Sequence, residues 1–477
     1  MRRTKIVATI GPKTESFTDL RELAERGVNV FRLNFSHGTH KWHGEVIDRI
    51  KKLNKKLVQP CAIMLDTKGP EIRTGDLRVP VQLKKGKELV LTVDHDADYE
   101  KDGKVTVNYD AFTDDVEVGD KILVDNGLMT LQVIRKRKQD VYCKILDGGE
   151  LGSRRHLNLP GKDVSLDSLT DKDWADIKFG IKKEVDFIAL SFVRSPKEVL
   201  VVKKFLAKAK ANIAVIAKIE TLAATKCLEE IFASTDGIMV ARGDLGAEIP
   251  FTQVPLVQWD IAQLAAKFRK PTIVATQMLE SMQNSPMPTR AEVSDVFAAA
   301  WQRNDAVMLS GETAKGEFPL KAVDAMREIV LETERNYLQK RPIRKMEPDC
   351  ARSEFCRNAG NAAEDLKDVV AIVVITKSGR MASLMSSCRP QVPIFAIVED
   401  EGVGRKMQLY WGVRSFRIKF SDDPEKTIKA AIKEINEQKK CSRKKGVMPD
   451  LKGKKFVLLS DILVGKKFEP ALQIREF

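Results

Sequence analysis

The sequence predicts an α/β protein: a (β/α)8 barrel, with a small β-barrel domain inserted in it and an open α/β domain after it. Three observations predict this. Short apolar runs rich in β-branched residues alternate with helical segments, a block of shorter strand-like runs interrupts the third such unit, and a second α/β segment follows a linker rich in proline and charge.

Eight apolar runs carry the barrel prediction. Most are followed by ten to twenty residues with helical periodicity, and continuously apolar strands of this kind are typical of a parallel sheet covered on both faces. The runs are KIVATIG (5–11), VNVFRLNFS (28–36), CAIMLDTKG (61–69), DFIALSFV (186–193), IAVIAKIE (213–220), DGIMVARGD (236–244), PTIVATQM (271–278) and DAVMLSGE (305–312).

The third unit is interrupted by short strand-like runs separated by Gly and Asp turns. We therefore predict a barrel domain over 1–75 and 158–340, an inserted β domain over 76–157 and a C-terminal α/β domain over 341–477. An insertion in a βα loop lies at the mouth of the barrel, where it can act as a lid that excludes water, although a decorative insertion is the alternative.

Composition narrows the functional classes. The chain has 477 residues, 81 Lys and Arg against 67 Asp and Glu, and a formal net charge of +14. The basic residues are interleaved with acids, and the concentrated basic block at 439–455 lacks aromatic residues, so we expect anionic small substrates and no nucleic acid. No apolar run is long enough to span a membrane. Seven cysteines without a C-x-x-C pair favour a reducing, cytoplasmic location.

Polar residues stand at or just after the ends of most predicted barrel strands. In a (β/α)8 barrel these ends converge on one mouth, so the residues are candidates for a shared site. They are Asn34, Ser36, Asp66, Thr67, Ser191, Lys218, Glu220, Arg242, Asp244, Thr276 and Glu312.

The segment IMVARGDLGAEIP (238–250) places two glycines and an aspartate directly after a buried strand. Glycine lets the backbone approach a ligand, and N–H groups at a helix start can bind a carboxylate. Asp244 and Glu220, from neighbouring strand ends, supply two hard oxygen ligands suited to Mg²⁺. The alternative is a pair of loop acids in salt bridges, but the nearby Lys218 favours a metal site.

These segments resemble the pyruvate kinase family. The resemblance covers nearly the whole barrel, in the family's order, and the inserted and C-terminal domains fall where the family has them. The matching segments are TKIVATIGPKT, FRLNFSHG, MLDTKGPEIRTG, NLPG, AKIE, MVARGDLGAEIP, ATQMLESM, PTRAE and DAVMLSGETAKG.

The resemblance implies phosphoryl transfer from phosphoenolpyruvate to ADP, giving pyruvate and ATP. Lys218 and Arg32 would hold the transferring group. Glu220 and Asp244 would bind Mg²⁺ or Mn²⁺, and the backbone at Gly243 and Asp244 would take the substrate carboxylate. Thr276 would orient or relay the proton that reaches the enolate carbon, because a threonine hydroxyl is a poor acid by itself.

The resemblance also implies a monovalent cation and a nucleotide site. A K⁺ site maps onto Asn34, Ser36, Asp66 and Thr67, all oxygen donors. An acidic residue at Glu71 accompanies K⁺ dependence in the family, so we predict activation by K⁺. Nucleotide contacts map onto Arg32, Asn34, His37, Arg73 and Arg155, and a homotetramer is expected.

Several positions depart from the family pattern. Arg155, in GSRRHLNLPG, stands where many members have lysine, and the fifth strand ends AKIETLAA without the usual Asn and Gly turn. The strand-to-helix turn Thr376, Lys377, Ser378, Gly379 and Arg380 could bind an effector phosphate. The opposing Gly-rich loop is not recognisable; Lys466 and Lys467 could attract phosphate, or regulation could be lost.

Two other functions are compatible with parts of this pattern. A metal-dependent barrel lyase or aldolase acting on pyruvate-like acids would share the metal and the carboxylate-binding loop, but it would not require Arg32 and Arg73. A non-catalytic regulatory descendant is expected to lose a lysine or a metal-binding acid, and Lys218, Glu220 and Asp244 are all present.

Overall fold

The structure is a computed structural model, and it describes residues 1–125, 127–162, 169–336, 351–441, 448–464 and 467–477. The predicted boundary at 340/341 and Lys466 lie outside these residues, and so does the side chain of Lys467. The boundaries predicted at 75/76 and 157/158 stay predictions. No helix in the described part of the chain is long and apolar enough to cross a membrane.

The chain begins with three strands and two helices of a barrel. The strands are fully or nearly fully buried, as their β-branched composition predicts. Ser16 caps the first helix by accepting from Asp19 N, and Gly27, at φ 108°, ends it in a left-handed conformation. The elements are β1 (Lys5–Thr9), α1 (Phe17–Arg26), β2 (Val30–Asn34), α2 (His40–Asn54) and β3 (Ala62–Asp66).

The insertion after β3 is a β domain with its own apolar core. It forms a six-stranded sheet in the order β11-β7-β8-β9-β5-β6 and a two-stranded sheet of β10 and β4. Its elements are β4 (Val81–Leu83), β5 (Glu88–Thr92), α3 (Tyr99–Asp102), β6 (Lys104–Thr106), α4 (Phe112–Asp115), β7 (Lys121–Val124), β8 (Met129–Arg137), β9 (Asp140–Asp147), β10 (Gly149–Leu151) and β11 (Leu157–Asn158).

The remaining five strands close the barrel. Three helices of this half start with a reciprocal cap between Thr or Ser and an acid three residues later: Thr170 with Asp173, Ser195 with Glu198, and Thr289 with Glu292. The elements are α5 (Asp171–Lys182), β12 (Phe187–Leu190), α6 (Pro196–Lys208), β13 (Ala214–Ile219), α7 (Leu222–Lys226), α8 (Leu228–Ser234), β14 (Gly237–Ala241), α9 (Arg242–Glu248), α10 (Val254–Phe268), β15 (Thr272–Ala275), a 3₁₀ turn (Glu280–Gln283), α11 (Arg290–Trp301), β16 (Ala306–Leu309), α12 (Gly311–Ala314) and α13 (Pro319–Asn336).

The eight barrel strands pair in parallel in the closed order β1-β16-β15-β14-β13-β12-β3-β2, which confirms the predicted (β/α)8 barrel. Strand β12 pairs directly with β3, with Phe187 opposite Met64, although the insertion separates them in sequence. One apolar cluster fills the barrel interior and a larger one lies between strands and helices. Because all eight strands run in parallel, their carboxyl ends meet at one mouth.

The C-terminal domain is an open α/β sheet, as predicted, in the order β19-β18-β17-β20-β21. The antiparallel edge strand β21 was not predicted from the sequence, because Pro470 interrupts its strand pattern. The elements are α14 (Ala351–Asp365), β17 (Val369–Ile375), α15 (Arg380–Ser387), β18 (Ile394–Val398), α16 (Glu401–Lys406), a 3₁₀ turn (Met407–Leu409), β19 (Val413–Arg417), α17 (Pro424–Cys441), β20 (Lys455–Val464) and β21 (Lys467–Glu476).

Buried ion pairs join the amino ends of the barrel strands to the C-terminal domain. Arg389 donates to both carboxylate oxygens of Asp305, from Nη2 to Oδ2 at 2.6 Å and from Nη1 to Oδ1 at 3.0 Å. Trp411 N donates to the same carboxylate at 3.0 Å. Arg405 binds Asp186 at 2.9 Å. The base of the barrel is therefore held to the C-terminal domain by charge as well as by apolar contact.

We predict that Asp305→Asn lowers the free energy of unfolding, measured by urea titration, by about 3–5 kcal/mol. The substitution leaves the buried Arg389 guanidinium without its counter-charge. The control is Glu229→Gln, which breaks the exposed pair with Lys267 and should cost no more than about 1 kcal/mol. Equal losses in the two variants would contradict the structural role of Asp305.

Candidate active site

Four charged side chains from the ends of β2, β3 and β13 form one buried cluster at the barrel mouth. Arg32 Nε donates to Asp66 Oδ2 at 2.6 Å. Lys218 Nζ lies 3.1 Å from Asp66 Oδ1 and 2.7 Å from Glu220 Oε1. Two cations and two carboxylates thus alternate within a buried region, in which only Arg32 and Lys218 keep a small exposure of 8% and 7%.

The cluster keeps Asp66 and Lys218 ionised. Burial alone would raise the pKa of Asp66, but Arg32 and Lys218 outweigh it and hold that pKa below its usual value. Burial alone would lower the pKa of Lys218, but Asp66 and Glu220 outweigh it and raise that pKa above its usual value. Lys218 is therefore a permanent positive charge at the mouth rather than a proton donor.

Hydroxyl groups from neighbouring strands complete the cluster. Lys218 Nζ donates to Ser191 Oγ at 2.7 Å, and Ser191 Oγ donates to the Thr67 carbonyl at 2.7 Å. Arg32 Nη1 donates to Thr9 Oγ1 at 2.9 Å. Sequence reasoning assigned Ser191 to the mouth without a role and missed Thr9, whose position at the end of the first strand is the signal that could have identified it.

Glu220 and Asp244 fit a divalent cation. Glu220 is fully buried, and its Oε2 accepts from Phe192 N at 2.7 Å. Burial raises the pKa of Glu220 to about 7; Lys218 opposes this rise and Asp244 adds to it. A hard dication would relieve the repulsion between the two carboxylates.

No group of three or more His, Cys, Asp or Glu side chains in the described ranges is placed to hold a metal ion. Protein oxygens other than these two carboxylates, or substrate and water, would have to complete the coordination shell.

The segment after the sixth barrel strand turns at once into the short helix α9. Gly243 N donates to Thr276 Oγ1 at 2.8 Å, and Thr276 Oγ1 donates to the Ala275 carbonyl at 2.6 Å. Thr276 has a φ of 67°, an unfavourable conformation for a β-branched residue and one that is concentrated at functional sites. Arg242 fixes both segments by bonding the Thr276 carbonyl and Asp295, each at 2.6 Å.

The predicted monovalent-cation residues lie on adjoining strands and loops. Asn34 and Asp66 are opposite each other in the β2–β3 ladder. Asn34 Oδ1 accepts from Ser36 N at 3.1 Å, and Thr67 Oγ1 accepts from Ser191 N at 3.1 Å. The four residues are thus grouped beside Arg32, but Asp66 already uses both carboxylate oxygens in ion pairs.

The edge of the β domain meets the barrel mouth. Arg73 Nε donates to Glu71 at 2.7 Å and lowers the pKa of that carboxyl against the effect of burial. His37 is exposed, and its pKa is lowered by partial burial of the ring and by the charge of Arg73. Arg155 pairs with Asp125 at 3.1 Å, within the β domain.

The sequence reasoning missed His156. Its ring is buried and meets Phe192 edge to face at 5.9 Å between centroids. Burial lowers its pKa, while Asp244 and Glu71 oppose that effect. Phe192, at φ 53°, also donates its N–H to Glu220. His156 therefore joins the β domain to the segment after β12, whose Phe192 N–H orients the buried Glu220. The position of His156 just before the NLPG motif is the sequence signal that could have identified it.

Comparison with known proteins decides the family. A family model described as pyruvate kinase, barrel domain, matches residues 1–323, and one described as pyruvate kinase, alpha/beta domain, matches residues 353–466. The chain belongs to the pyruvate kinase family. Members of this family are phosphotransferases, and the chain is an enzyme of that class.

Individual relatives agree with this assignment. The chain is 46% identical over 444 residues to plastidial pyruvate kinase 3, chloroplastic, of Arabidopsis thaliana, covering 92% of this chain and 76% of the relative. It is 47% identical over 437 residues to pyruvate kinase isozyme G, chloroplastic, of Nicotiana tabacum, covering 91% and 77%. It is 45% identical over 423 residues to a pyruvate kinase of Staphylococcus aureus (strain MRSA252), covering 87% and 71%.

The strand-to-helix turn at 376–380 lies in the C-terminal domain, away from the barrel mouth. The sequence predicts an effector phosphate at this turn of the pyruvate kinase family member. Gly379, at φ 81°, starts α15, and its N–H donates to Thr376 Oγ1 at 3.1 Å. Lys377, Ser378 and Arg380 are exposed. The structure thus forms the strand-to-helix turn, while an effector phosphate there stays a prediction.

We predict that Ser191→Ala lowers the steady-state phosphotransfer rate about tenfold, since the hydrogen bond that positions the charged Lys218 is worth about 1.5 kcal/mol. Ser234→Ala, which removes a hydroxyl that donates to the Ile231 carbonyl on α8, is the control and should keep the wild-type rate. A wild-type rate in Ser191→Ala would show that Lys218 is held by its carboxylate partners alone.

Proposed function

We propose that this enzyme transfers the phosphoryl group of phosphoenolpyruvate to ADP, giving pyruvate and ATP, in the last step of glycolysis. The observation that carries the proposal is the burial of Arg32 and Lys218 side by side at the barrel mouth, next to Glu220 and Asp244. Phosphoryl transfer depends on charge stabilisation and positioning more than on covalent chemistry, and this arrangement supplies both.

Arg32 and Lys218 would hold the transferring phosphoryl group. Lys218 offers a compact charge that stays protonated, because Asp66 and Glu220 raise its pKa. Arg32 is fixed by Asp66 and Thr9, so its guanidinium loses little freedom when it binds an oxyanion. The cluster is formed before substrate arrives, which limits reorganisation during the reaction.

Glu220 and Asp244 would hold Mg²⁺ or Mn²⁺. When bound, such an ion neutralises charge on the phosphoryl and enolate oxygens. The protein's own part is to present the two carboxylates at fixed positions: Phe192 N orients Glu220, and α9 carries Asp244.

Thr276 would orient the proton that reaches the enolate carbon. Its hydroxyl already accepts from Gly243 N and donates to the Ala275 carbonyl, so it is suited to hold a water molecule or an N–H in place. The backbone at Gly243 and Asp244 would bind the substrate carboxylate, and the Gly243 N–H would then turn from Thr276 to the substrate.

K⁺ would bind among Asn34, Ser36, Asp66 and Thr67, and the nucleotide phosphates would contact Arg32, Asn34, His37, Arg73 and Arg155. The K⁺ site is supported by the grouping of its four residues beside Arg32. The nucleotide site is supported by the position of Arg73 at the edge of the β domain. The ion pair between Arg155 and Asp125 would have to open before Arg155 could reach a nucleotide.

The two other functions have less support. Arg32 is held in a fixed position at the mouth by its hydrogen bonds. The reaction of a lyase or aldolase would not require an arginine at that position. All three charged residues that a non-catalytic descendant would be expected to lose are in place.

We also propose a homotetramer in a reducing compartment, the cytoplasm. An apolar face on α10 and the residues before it supports association: Phe251 and Leu256 are 81% and 64% exposed.

The cysteines support the reducing compartment. Five of them are free thiols: Cys61, Cys143, Cys227, Cys356 and Cys388. The relatives named above include both chloroplastic and bacterial proteins.

The test of the proposed reaction is pyruvate formation from phosphoenolpyruvate and ADP with Mg²⁺, in the wild type and in Lys218→Met. We expect turnover that requires both ADP and Mg²⁺ and falls at least about 10³-fold in the variant, because the charge facing the phosphoryl group is lost. Lys267→Met, at an exposed position, is the control. Pyruvate formation without ADP would favour a lyase, and no turnover in a folded wild type would favour a binding protein.

A separate prediction concerns Glu71. We expect Glu71→Lys to make turnover largely independent of K⁺, because a lysine ammonium can take the place of the monovalent charge near the mouth. Glu71→Gln removes the pair with Arg73 but adds no charge, so it should still require K⁺. The measurement is the turnover rate with K⁺ against the rate with tetramethylammonium. Equal K⁺ activation in Glu71→Lys and the wild type would refute the role given to Glu71.

A further inference from the structure

A large cavity lies at the opposite end of the barrel from the proposed active site. Its volume is about 1620 Å³, and its wall is formed by the start of β1, the helices α1 and α13, and strand β19 of the C-terminal domain. None of the residues proposed above for catalysis, metal binding or nucleotide binding lines it. It is therefore a separate place in the molecule where a ligand could bind.

The wall of the cavity is strongly basic. Seven lining side chains are Lys or Arg and three are Glu. Two of the cations already have acidic partners, because Arg26 pairs with Asp324 and Glu22 at 2.5 and 3.4 Å and Arg327 pairs with Asp324 and Glu328 at 3.2 and 3.8 Å. The remaining positive charge is concentrated where the barrel meets β19.

Three cations at this junction are poorly compensated. Arg414, on β19, is 8% exposed; its Nε has no hydrogen-bond partner, and the guanidinium forms no ion pair with any residue that the structure describes. Lys5 is 5% exposed, and among the described residues its Nζ donates to the Val413 carbonyl and to no carboxylate. Arg2 donates to the Gly27 carbonyl and to Asn29 Oδ1, but its buried Nε and Nη1 have no hydrogen-bond partner among the residues that the structure describes.

Glu334 and Asp305 act on these cations but form no ion pair with them in the part of the chain that the structure describes, and Asp305 is already paired with Arg389. Glu334 interacts with Arg2 and Lys5 at a distance, but its carboxylate accepts from the backbone N–H groups of Arg3 and Thr4 at 2.8 and 2.7 Å. Burial lowers the pKa of Lys5 to about 7, and it lowers the pKa values of Arg2 and Arg414 to about 10. The charged forms are thus disfavoured by the protein itself.

We propose that this cavity binds a small multivalent oxyanion, held by Arg414, Lys5 and Arg2 between the base of the barrel and the C-terminal domain. Burying cations without partners costs folding free energy. An anion with several oxygens would accept hydrogen bonds from the unpaired N–H groups and would also neutralise the charge. Guanidinium forks match phosphate and carboxylate geometry. The ligand carries these oxygens either as a phosphate ester or as a polycarboxylate.

The experiment is titration calorimetry on the full chain with two probes, inorganic phosphate and citrate. Arg414→Met removes the buried charge and keeps an apolar side chain over Phe416. The matched control is Arg417→Met, which changes an exposed arginine on the same strand. We expect at least a tenfold loss of affinity for one or both probes in Arg414→Met and wild-type affinity in Arg417→Met.

The two probes distinguish the two sources of the oxyanion, since loss with phosphate points to a phosphate ester and loss with citrate points to a polycarboxylate. Phosphate bound at the barrel mouth would be unaffected by Arg414→Met, so binding equal to wild type with both probes would overturn the proposal. No binding of either probe to the wild type would overturn it as well.

Thermal unfolding gives a second, independent readout. Without added anion, Arg414→Met should unfold at the same temperature as the wild type or higher, because an uncompensated buried charge has been removed. Saturating anion should raise the unfolding temperature of the wild type and of Arg417→Met, but not that of Arg414→Met. A lower unfolding temperature for unliganded Arg414→Met would show that Arg414 is already satisfied inside the protein, which would contradict the proposal.

Discussion

The mouth of this barrel depends on one constraint: Arg32 and Lys218 can be buried only if Asp66 and Glu220 are buried with them. Each charge alone would be expensive in a low-dielectric interior, and their alternation makes the cluster acceptable. The arrangement fixes two positive charges where a phosphoryl group can meet them. It also leaves Glu220 beside Asp244, a pair of acids that a divalent cation would stabilise.

Barrel closure is what brings the cluster together. Arg32 and Asp66 come from the paired strands β2 and β3. Lys218, on β13, reaches them because β12, which lies between β13 and β3, pairs with β3 across the β insertion. Residues with positive φ, Phe192 and Thr276, stand at two of the strand ends and aim backbone groups into the mouth. The opposite end of the barrel is occupied differently, by ion pairs to the C-terminal domain and by a basic cavity, so the two ends of one scaffold have separate chemistry.

Much of this could be predicted from the sequence, and the rest depends on tertiary contacts. The strand periodicity predicted the barrel, and the polar residues at strand ends predicted that Lys218, Glu220 and Asp66 would meet. Local patterns could not show that Thr9 would bond Arg32, or that His156 would pack on Phe192, since each contact joins distant segments. The strand β21 was missed because Pro470 disrupts its pattern. Nothing in the local sequence distinguishes Arg414, which the fold buries, from a surface arginine.

The most direct test of the charge cluster is to locate the divalent cation. Crystals of the enzyme grown with Mn²⁺ and phosphoenolpyruvate would be measured for anomalous scattering at the manganese edge. The account predicts one strong peak within coordination distance of Glu220 and Asp244, with Lys218 and Arg32 on the phosphate of the substrate. A manganese peak elsewhere, or a substrate phosphate that contacts neither Arg32 nor Lys218, would contradict it.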